Sequence, residues 1–211
     1  MTKQSNFSGS RARALARILG SLAILALAAC SSVSESQPRR ESTSGSLPKP
    51  AVDANNVMTR PEGYRYWIFV GTPLTPNDLN PPEAPFPEFH NVYIHPDDFA
   101  HYESTGEFRD GTVIIKELVS VGSKRATSGV GYFMGEFMGL EAAIKDSNRF
   151  PDEPGSWAYY SFGHSYPLKD ASEPQDTMFC NACHGANADQ DWVFTQYYPV
   201  LRAAKPTGSS D

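Results

Sequence analysis

Apolar and polar positions between residues 64 and 163 are arranged in short segments that favour strands. These segments are rich in aromatic and β-branched residues, and breaks of Gly, Pro and Asp separate them. A short helix is predicted between Pro96 and Gly106, because proline and acidic residues open it and a glycine closes it. The pattern predicts a mainly β domain of the α+β class. Its strands are expected within residues 64–74, 91–95, 111–122, 129–144 and 156–163.

The carboxyl-terminal segment changes to a helical pattern. Within residues 191–201, apolar side chains recur at helical spacing and share one stripe: Val193, Phe194, Tyr197, Tyr198 and Leu201. Pro199 interrupts this stripe, so the helix is expected to kink or end near Tyr198. We interpret the stripe as part of the core rather than as a cofactor contact.

The amino-terminal pattern is that of an export signal. A basic stretch precedes about a dozen apolar residues, too few to span a membrane. The run ends in "LAAC", which is similar to a bacterial lipobox and predicts removal of residues 1–29 and acylation of Cys30. An ordinary signal peptide with an incidental Cys30 is the alternative. Because Ser31 and Ser32 follow the cysteine, without an aspartate, we expect a lipoprotein of the periplasm anchored to the outer membrane.

Composition divides the remaining chain into three parts. Residues 30–57 are rich in Ser and Pro and poor in apolar residues, so they are predicted to be a lipidated cysteine followed by a disordered tether. Residues 58–205 are predicted to form one folded domain, long enough to bury a core of its own. Residues 206–211 are predicted to be a disordered tail.

The charge balance becomes more acidic once the signal is removed. The chain has 18 basic and 24 acidic residues, a formal net charge of −6. Residues 1–29 hold four basic and no acidic residues, so the mature chain has 14 basic against 24 acidic residues, or −10. Nucleic acid and anionic lipid are therefore poor partners, and membrane contact is expected only through the lipid anchor. A basic redox partner would be attracted to this surface.

The strongest chemical signal is the box Cys180-x-x-Cys183-His184. This spacing is the attachment signature of c-type haem, in which two thiols form thioethers and the histidine becomes an axial iron ligand. Half of a zinc site and a thioredoxin-like redox site are the alternatives, but the predicted folded part has no further cysteine. With Cys30 assigned to lipid and the other two cysteines to haem, no disulfide is expected.

The late position of the box favours an open sixth coordination position on the iron. Only 27 residues follow His184, and none of them is a methionine. Met58, Met134 and Met138 could supply a distant ligand, but methionine on a strand is more often part of the core. An open position is typical of a catalyst or a gas binder, and a plain electron carrier is the third alternative.

Several stretches together resemble the cytochrome P-460 family, and they occur in the same order from about Tyr64 to Lys205. They are "VGTPLTPNDLN", "TGEFRDGTVIIKELVSVG", "GYFMGEFMGLEAAIKDSNRF", "EPGSWAYYSFG" and "CNACHGANADQDWVFTQYYPVLRAAK". The resemblance implies a homodimer of antiparallel β-sheet subunits, each with one haem c on a five-coordinate iron bound by His184. It implies that Lys116 is joined covalently to the porphyrin and that Glu141 is a distal carboxylate that takes protons from the substrate. It also implies oxidation of hydroxylamine to nitrous oxide, with electrons passing to a soluble c-type cytochrome.

The residues themselves leave the roles of Lys116 and Glu141 open. Lys116 shares a strand face with Ile114 and Leu118, but the opposite face is also largely apolar, so periodicity does not decide which side is buried. A strand lysine is ordinarily a solvated charge.

By parity, Glu141 shares a face with Gly135, Gly139 and Phe137, a flat track that a planar ring could approach. A raised pKa is expected for a carboxylate buried there. A bulged strand or a surface carboxylate is the alternative.

Two features differ from the family pattern, and a second function remains open. His90 stands where the family often has an arginine, so the distal polar contact could be weaker or pH-dependent. The lipobox and long tether are also unusual for the family. His95, His101 and His164 are expected at the surface or at strand ends, with no role assigned.

A non-enzymatic nitric oxide binder of the cytochrome c-prime-beta type is the alternative function, and Lys116 is the residue that favours the enzyme.

Overall fold

The computed structural model describes residues 47–206. The predicted signal peptide, the acylated Cys30 and most of the predicted tether and tail lie outside these residues, and those predictions remain predictions. Among the described residues, no helix is both long enough and apolar enough to cross a membrane.

The described chain is built mainly from strands, with three short α-helices. The strands are β1 (Met58–Thr59), β2 (Ile68–Gly71), β3 (Phe89–Ile94), β4 (Val113–Val121), β5 (Arg125–Ala126), β6 (Gly129–Val130), β7 (Met134–Lys145), β8 (Trp157–Ser161) and β9 (Ala171–Ser172). The helices are α1 (Pro96–Thr105), α2 (Thr177–Asn187) and α3 (Pro199–Ala204).

One five-stranded sheet organises the domain. Its strand order is β2-β3-β4-β7-β8, and every neighbouring pair is antiparallel. The long strands β4 and β7 lie at the centre, while β5-β6 and β1-β9 form small two-stranded sheets. The predicted mainly β, antiparallel fold with short helices is therefore confirmed.

Both faces of the sheet are covered, which explains why periodicity along β4 could not show the buried side. Val113 and Ile115 belong to one core cluster, whereas Ile114 belongs to the other. Alternate side chains of a strand point to opposite faces, so these clusters lie on the two sides of the sheet. Helix α2 lies on the side of Ile114, because its His184 ring contacts Tyr159, which packs against the second cluster.

A bulge in β7 breaks the predicted glycine and phenylalanine track. Gly139 pairs with Leu118 on β4, but the next residue of β4, Val119, pairs with Phe137. The extra residue between Gly139 and Phe137 reverses the alternation, so Phe137 turns to the opposite face from Glu141. There the guanidinium of Arg65 lies 4.2 Å from the Phe137 ring centroid. The prediction that Phe137 shares a face with Glu141 is therefore wrong.

Two predicted elements differ from the structure. The predicted strand over residues 64–74 begins with a 3-10 helix at Tyr64–Tyr66, because the Tyr64 hydroxyl turns inward to donate to Glu117 at 2.6 Å. The predicted helix over residues 191–201 is wrong. Pro199 does not end a helix but begins α3, where a proline is favoured because the first helical N–H has no intrahelical partner.

The segment before residue 58 contacts the domain. The carbonyl of Leu47 accepts a hydrogen bond from His95 Nε2 at 2.7 Å, and Lys49 pairs with Asp98 at 2.7 Å. Leu47 also packs against the first core cluster. Residues 47–57 are thus part of the described fold, although they belong to the segment 30–57 whose overall composition predicted a tether. His95 directly follows β3, so the expected strand-end position is met. It is only 1% exposed and is the N-cap of α1.

The carboxylate of Asp98 is predicted to be a main support of this region. Its side chain is fully buried and accepts hydrogen bonds from Val113 N at 3.1 Å and from Lys49 and Arg109. We expect Asp98→Ala to lower the free energy of unfolding by about 3 kcal/mol, because a buried N–H and two cations lose their acceptor. Chemical denaturation measures this change. Asp97→Ala, at a side chain 58% exposed, is the matched control and should cost less than about 1 kcal/mol.

Candidate functional site

Helix α2 presents the predicted haem box. Asp176 caps the helix by accepting a hydrogen bond from Met178 N at 2.8 Å, so the helix begins one turn before the box. Cys180 and Cys183 are three residues apart and therefore neighbours on the helix surface. Both thiols are free, and Cys183 is exposed. The prediction that the box lies on a carboxyl-terminal helix is confirmed.

The ring of His184 is held with one nitrogen left for a ligand. Its Nδ1 donates to the carbonyl oxygen of Trp192 at 2.8 Å. The ring lies between Tyr159 and Phe194, with centroids at 4.5 and 4.7 Å. Burial lowers the pKa of His184, which favours the neutral form. An imidazole that donates through Nδ1 and is neutral has Nε2 available to bind a metal.

The carbonyl that orients His184 is fixed by unusual backbone geometry. Asp191 and Trp192 both have positive φ values, 44° and 57°, which are uncommon for residues with side chains. Lys145 on β7 binds both carboxylate oxygens of Asp191 at 2.9 Å and stabilises this turn. Gly155 and Gly185 provide the space for the Trp192 ring, since a Cβ at either position would lie less than 3.0 Å from it. No local sequence pattern indicates this support.

Lys116 and Glu141, predicted from separate motifs, are direct cross-strand partners. They pair in register on β4 and β7, and Lys116 Nζ lies 2.5 Å from Glu141 Oε2. Their side chains are 26% and 22% exposed. Beyond the effect of burial, Lys116 lowers and Glu141 raises the pKa of His184. The two residues are therefore close enough to His184 for electrostatic coupling.

The prediction that the pKa of Glu141 is raised is wrong. Burial of the carboxyl is the largest single influence and raises its pKa, as expected. The hydrogen bond from His164 and the Lys116 ammonium act in the opposite direction and together outweigh burial. The pKa of Glu141 is lowered to about 2, so the carboxylate is ionised in this arrangement. The prediction failed because it counted the apolar strand neighbours but not the two cations.

His164 is the site residue that sequence reasoning missed. Its Nε2 lies 2.8 Å from Glu141 Oε1, and its side chain is 50% exposed. No local motif around residue 164 indicates this contact, which depends on pairing of β7 with β8. His164 lies just beyond the end of β8, as expected, but it also has a hydrogen-bond partner in Glu141.

His90 and Glu88 place further polar groups near the Lys116–Glu141 pair. His90 Nε2 and Glu88 Oε2 are buried without a hydrogen-bond partner, and the two atoms are 4.0 Å apart. Burial, with a smaller effect of Lys116, lowers the pKa of His90 to about 4. Buried polar atoms without partners are uncommon and mark a place where a bound molecule can supply them.

These residues fit a haem group. Two neighbouring free thiols and an oriented imidazole are the groups that attach haem c and bind its iron. Apolar side chains beside the box are exposed: Met178 is 78% exposed and Phe179 is 74% exposed.

The structure makes two of the methionines considered as iron ligands less favourable. Met58 is fully buried in the first core cluster, and Met134 pairs with Val121 and receives a hydrogen bond from Asn91.

The zinc alternative gains no support from the described residues. Within residues 47–206, no group of three or more His, Cys, Asp and Glu side chains is arranged to hold a metal ion.

The apolar stripe predicted within residues 191–201 is only partly in the core. Val193 and Leu201 are buried in the second cluster, whereas Phe194 contacts His184.

Comparison with known proteins supports the same assignment. No curated protein matches the chain in a sequence search. The family model for cytochrome P-460 matches residues 61–195, which include the central sheet and the box. This family binds haem c, so haem, iron and metal binding follow for the matched region. The chain belongs to the cytochrome P-460 family.

Proposed function

We propose that this protein is a periplasmic c-type haem enzyme that oxidises hydroxylamine to nitrous oxide. Its electrons pass to a c-type cytochrome acceptor. The observation that carries the proposal is the cross-strand pair of Lys116 and Glu141 beside the box. In a member of this family, Lys116 would be the group that bonds to the haem, and Glu141 would be the group that accepts protons from the substrate.

Haem attachment is assigned to three residues of α2. Cys180 and Cys183 would form the thioether bonds, and His184 Nε2 would bind the iron, with Nδ1 held by Trp192. When bound, the haem supplies the redox chemistry and an open coordination position. Met58, one of the methionines that could compete for the iron, is fully buried in the core.

Lys116 is proposed to bond to the porphyrin edge. Its Nζ lies 5.2 Å from the ring centroid of Phe86 and is only partly exposed, so it has an apolar neighbour as well as Glu141. An amine must be neutral to act as a nucleophile, so Lys116 would first give up its ammonium proton to solvent. Joining its nitrogen to a porphyrin carbon would replace one N–H and one C–H bond by a C–N bond, a two-electron oxidation for which a peroxide would be the oxidant. The bond would alter the electronic properties of the porphyrin independently of His184.

The crosslink would also prepare Glu141 for proton transfer. Once the Lys116 nitrogen is part of the haem linkage, its ammonium charge is lost. Removal of a neighbouring cation raises the pKa of a buried carboxyl from the value of about 2 that it has beside that cation. A carboxylate with a higher pKa is a better acceptor of substrate protons near neutral pH.

The remaining partners and the location are part of this proposal. The lipobox supports anchoring at the outer membrane through Cys30, which the mass of the mature amino-terminal peptide can test. The acidic mature chain supports a basic electron acceptor. We also propose a homodimer, which the mass of the purified protein in solution can test. Nitric oxide is proposed as a second ligand of the haem.

The purified, haem-loaded protein tests the proposal directly. We expect a reduced absorption spectrum unlike that of ordinary haem c, and haem retained on two tryptic fragments, one with Lys116 and one with Cys180 and Cys183. We also expect hydroxylamine-dependent reduction of an added electron acceptor with release of nitrous oxide. Haem on the box fragment alone, with no hydroxylamine turnover, would replace this proposal by a nitric oxide binder of the cytochrome c-prime-beta type.

A further inference from the structure

We propose that His164 is a relay residue that takes protons from Glu141 and passes them to solvent. The inference rests on the proposed function, in which Glu141 accepts protons from the bound substrate. His164 acts through Glu141 and is not assigned a contact with the substrate.

The contacts of Glu141 define the route. One carboxylate oxygen faces Lys116 Nζ, and the other faces His164 Nε2 at 2.8 Å. The Glu141 side chain is 22% exposed, whereas that of His164 is 50% exposed. A proton on Glu141 is therefore one hydrogen bond away from an imidazole with broad access to water.

The backbone around His164 holds its side chain beside Glu141. Leu140 N donates to the Gly163 carbonyl at 3.2 Å, and Phe162 N donates to the Leu140 carbonyl at 2.9 Å. Gly163 has a φ of 115°, which favours glycine. At Gly139, a Cβ would lie 2.7 Å from the Gly163 oxygen and 3.0 Å from the His164 Cα. The close approach of the two segments thus requires a glycine on β7.

The surrounding charges make the neutral imidazole of His164 a stronger proton acceptor. Its pKa is raised, first by the hydrogen bond to Glu141 and also by the charges of Glu141 and Glu88, while burial and Lys116 lower it. Loss of the Lys116 ammonium through a crosslink would remove one opposing charge. An imidazole titrates near neutral pH, so it can both accept and release protons during turnover.

The relay step moves one proton and no electrons. The O–H bond of protonated Glu141 breaks, and an N–H bond forms at the unprotonated Nε2 of the neutral His164 imidazole. Glu141 returns to the carboxylate, and His164 becomes an imidazolium that releases a proton to water or buffer. Glu141 is then ready for the next substrate proton.

The first test measures hydroxylamine turnover of the haem-loaded protein in dilute and in concentrated MES buffer, which does not coordinate iron. We expect His164→Ala to lower turnover about 10-fold in dilute buffer, less than the loss of a direct general base. Concentrated MES should restore it, because a soluble base replaces the imidazole. Glu141→Gln should not be restored, since the acceptor beside the substrate is itself lost.

Two matched variants separate proton transfer from structure. His164→Gln can keep a hydrogen bond to Glu141 but cannot accept a proton, so it should behave as His164→Ala does. His101→Ala removes a histidine of α1 outside the site and should match the wild-type protein in both buffers.

A second readout needs no turnover. Hydrogen cyanide loses its proton on binding to ferric haem, so its binding rate, followed by absorbance near neutral pH, reports the same route. We expect His164→Ala to bind cyanide about 10-fold more slowly in dilute MES and to recover in concentrated MES. If hydroxylamine is not oxidised but this result holds, the proposed function fails and the relay remains. Wild-type rates in dilute buffer, or slow rates that MES does not change, would overturn the relay.

Discussion

Glu141→Gln is expected to abolish most hydroxylamine oxidation while leaving the haem in place. The amide matches the carboxylate in size but cannot accept a proton, and general bases typically contribute 10²-fold or more. We therefore expect turnover to fall about 10²-fold or more, with the Lys116 crosslink and hydroxylamine binding retained. Reduction of an added cytochrome acceptor measures turnover, and optical titration measures binding.

Glu136→Gln is the matched control for this variant. Glu136 lies on the same strand, β7, but is exposed, so its replacement should leave turnover unchanged. Wild-type turnover in Glu141→Gln would show that the proton acceptor lies elsewhere, and His90 and Glu88 would then be the next residues to test.

Lys116→Leu is expected to separate haem attachment from the proposed activity. Leucine keeps an apolar contact with Phe86 but has no nitrogen to bond to the porphyrin. The attachments at Cys180 and Cys183 and the His184 ligand should persist, because they lie on helix α2 and do not depend on β4. We expect an ordinary haem c spectrum, continued binding of nitric oxide, and loss of hydroxylamine turnover.

Lys116→Leu also removes one positive charge from the site. Without the Lys116 ammonium, Glu141 keeps only His164 as a cationic partner, so its pKa should rise from about 2. Lys124→Leu is the control, since Lys124 forms an exposed ion pair with Asp78. Full hydroxylamine turnover by Lys116→Leu would contradict the proposed role of the crosslink.

Local sequence was sufficient for the elements that depend on local interactions. The helix from Pro96 to Gly106 was predicted because its ends are defined by residues within one turn, and Gly106 has the φ of 77° that glycine adopts readily. The haem box was predicted for a similar reason. Two cysteines and a histidine at fixed spacing on one helix need no distant partner to form an attachment site.

The polar environment of the site depended on residues far apart in the chain. The family resemblance suggested both Lys116 and Glu141, but their contact requires the register of β4 with β7. His164 reaches Glu141 only because β8 pairs with β7 and a glycine at position 139 allows close approach. The pKa of Glu141 depends on both contacts, so its direction could not be predicted from the apolar neighbours along its own strand.

A β-rich domain with one c-type haem box near the carboxyl end could be predicted from the order of residues alone. The folded chain was needed to show which face of β4 carries Lys116, that a bulge turns Phe137 away from Glu141, and that Trp192 orients His184. The two groups of features differ in the range of the interactions that fix them. Capping, periodicity and attachment spacing act within a few residues, whereas strand register and the pairing of buried charges are fixed by contacts between distant segments.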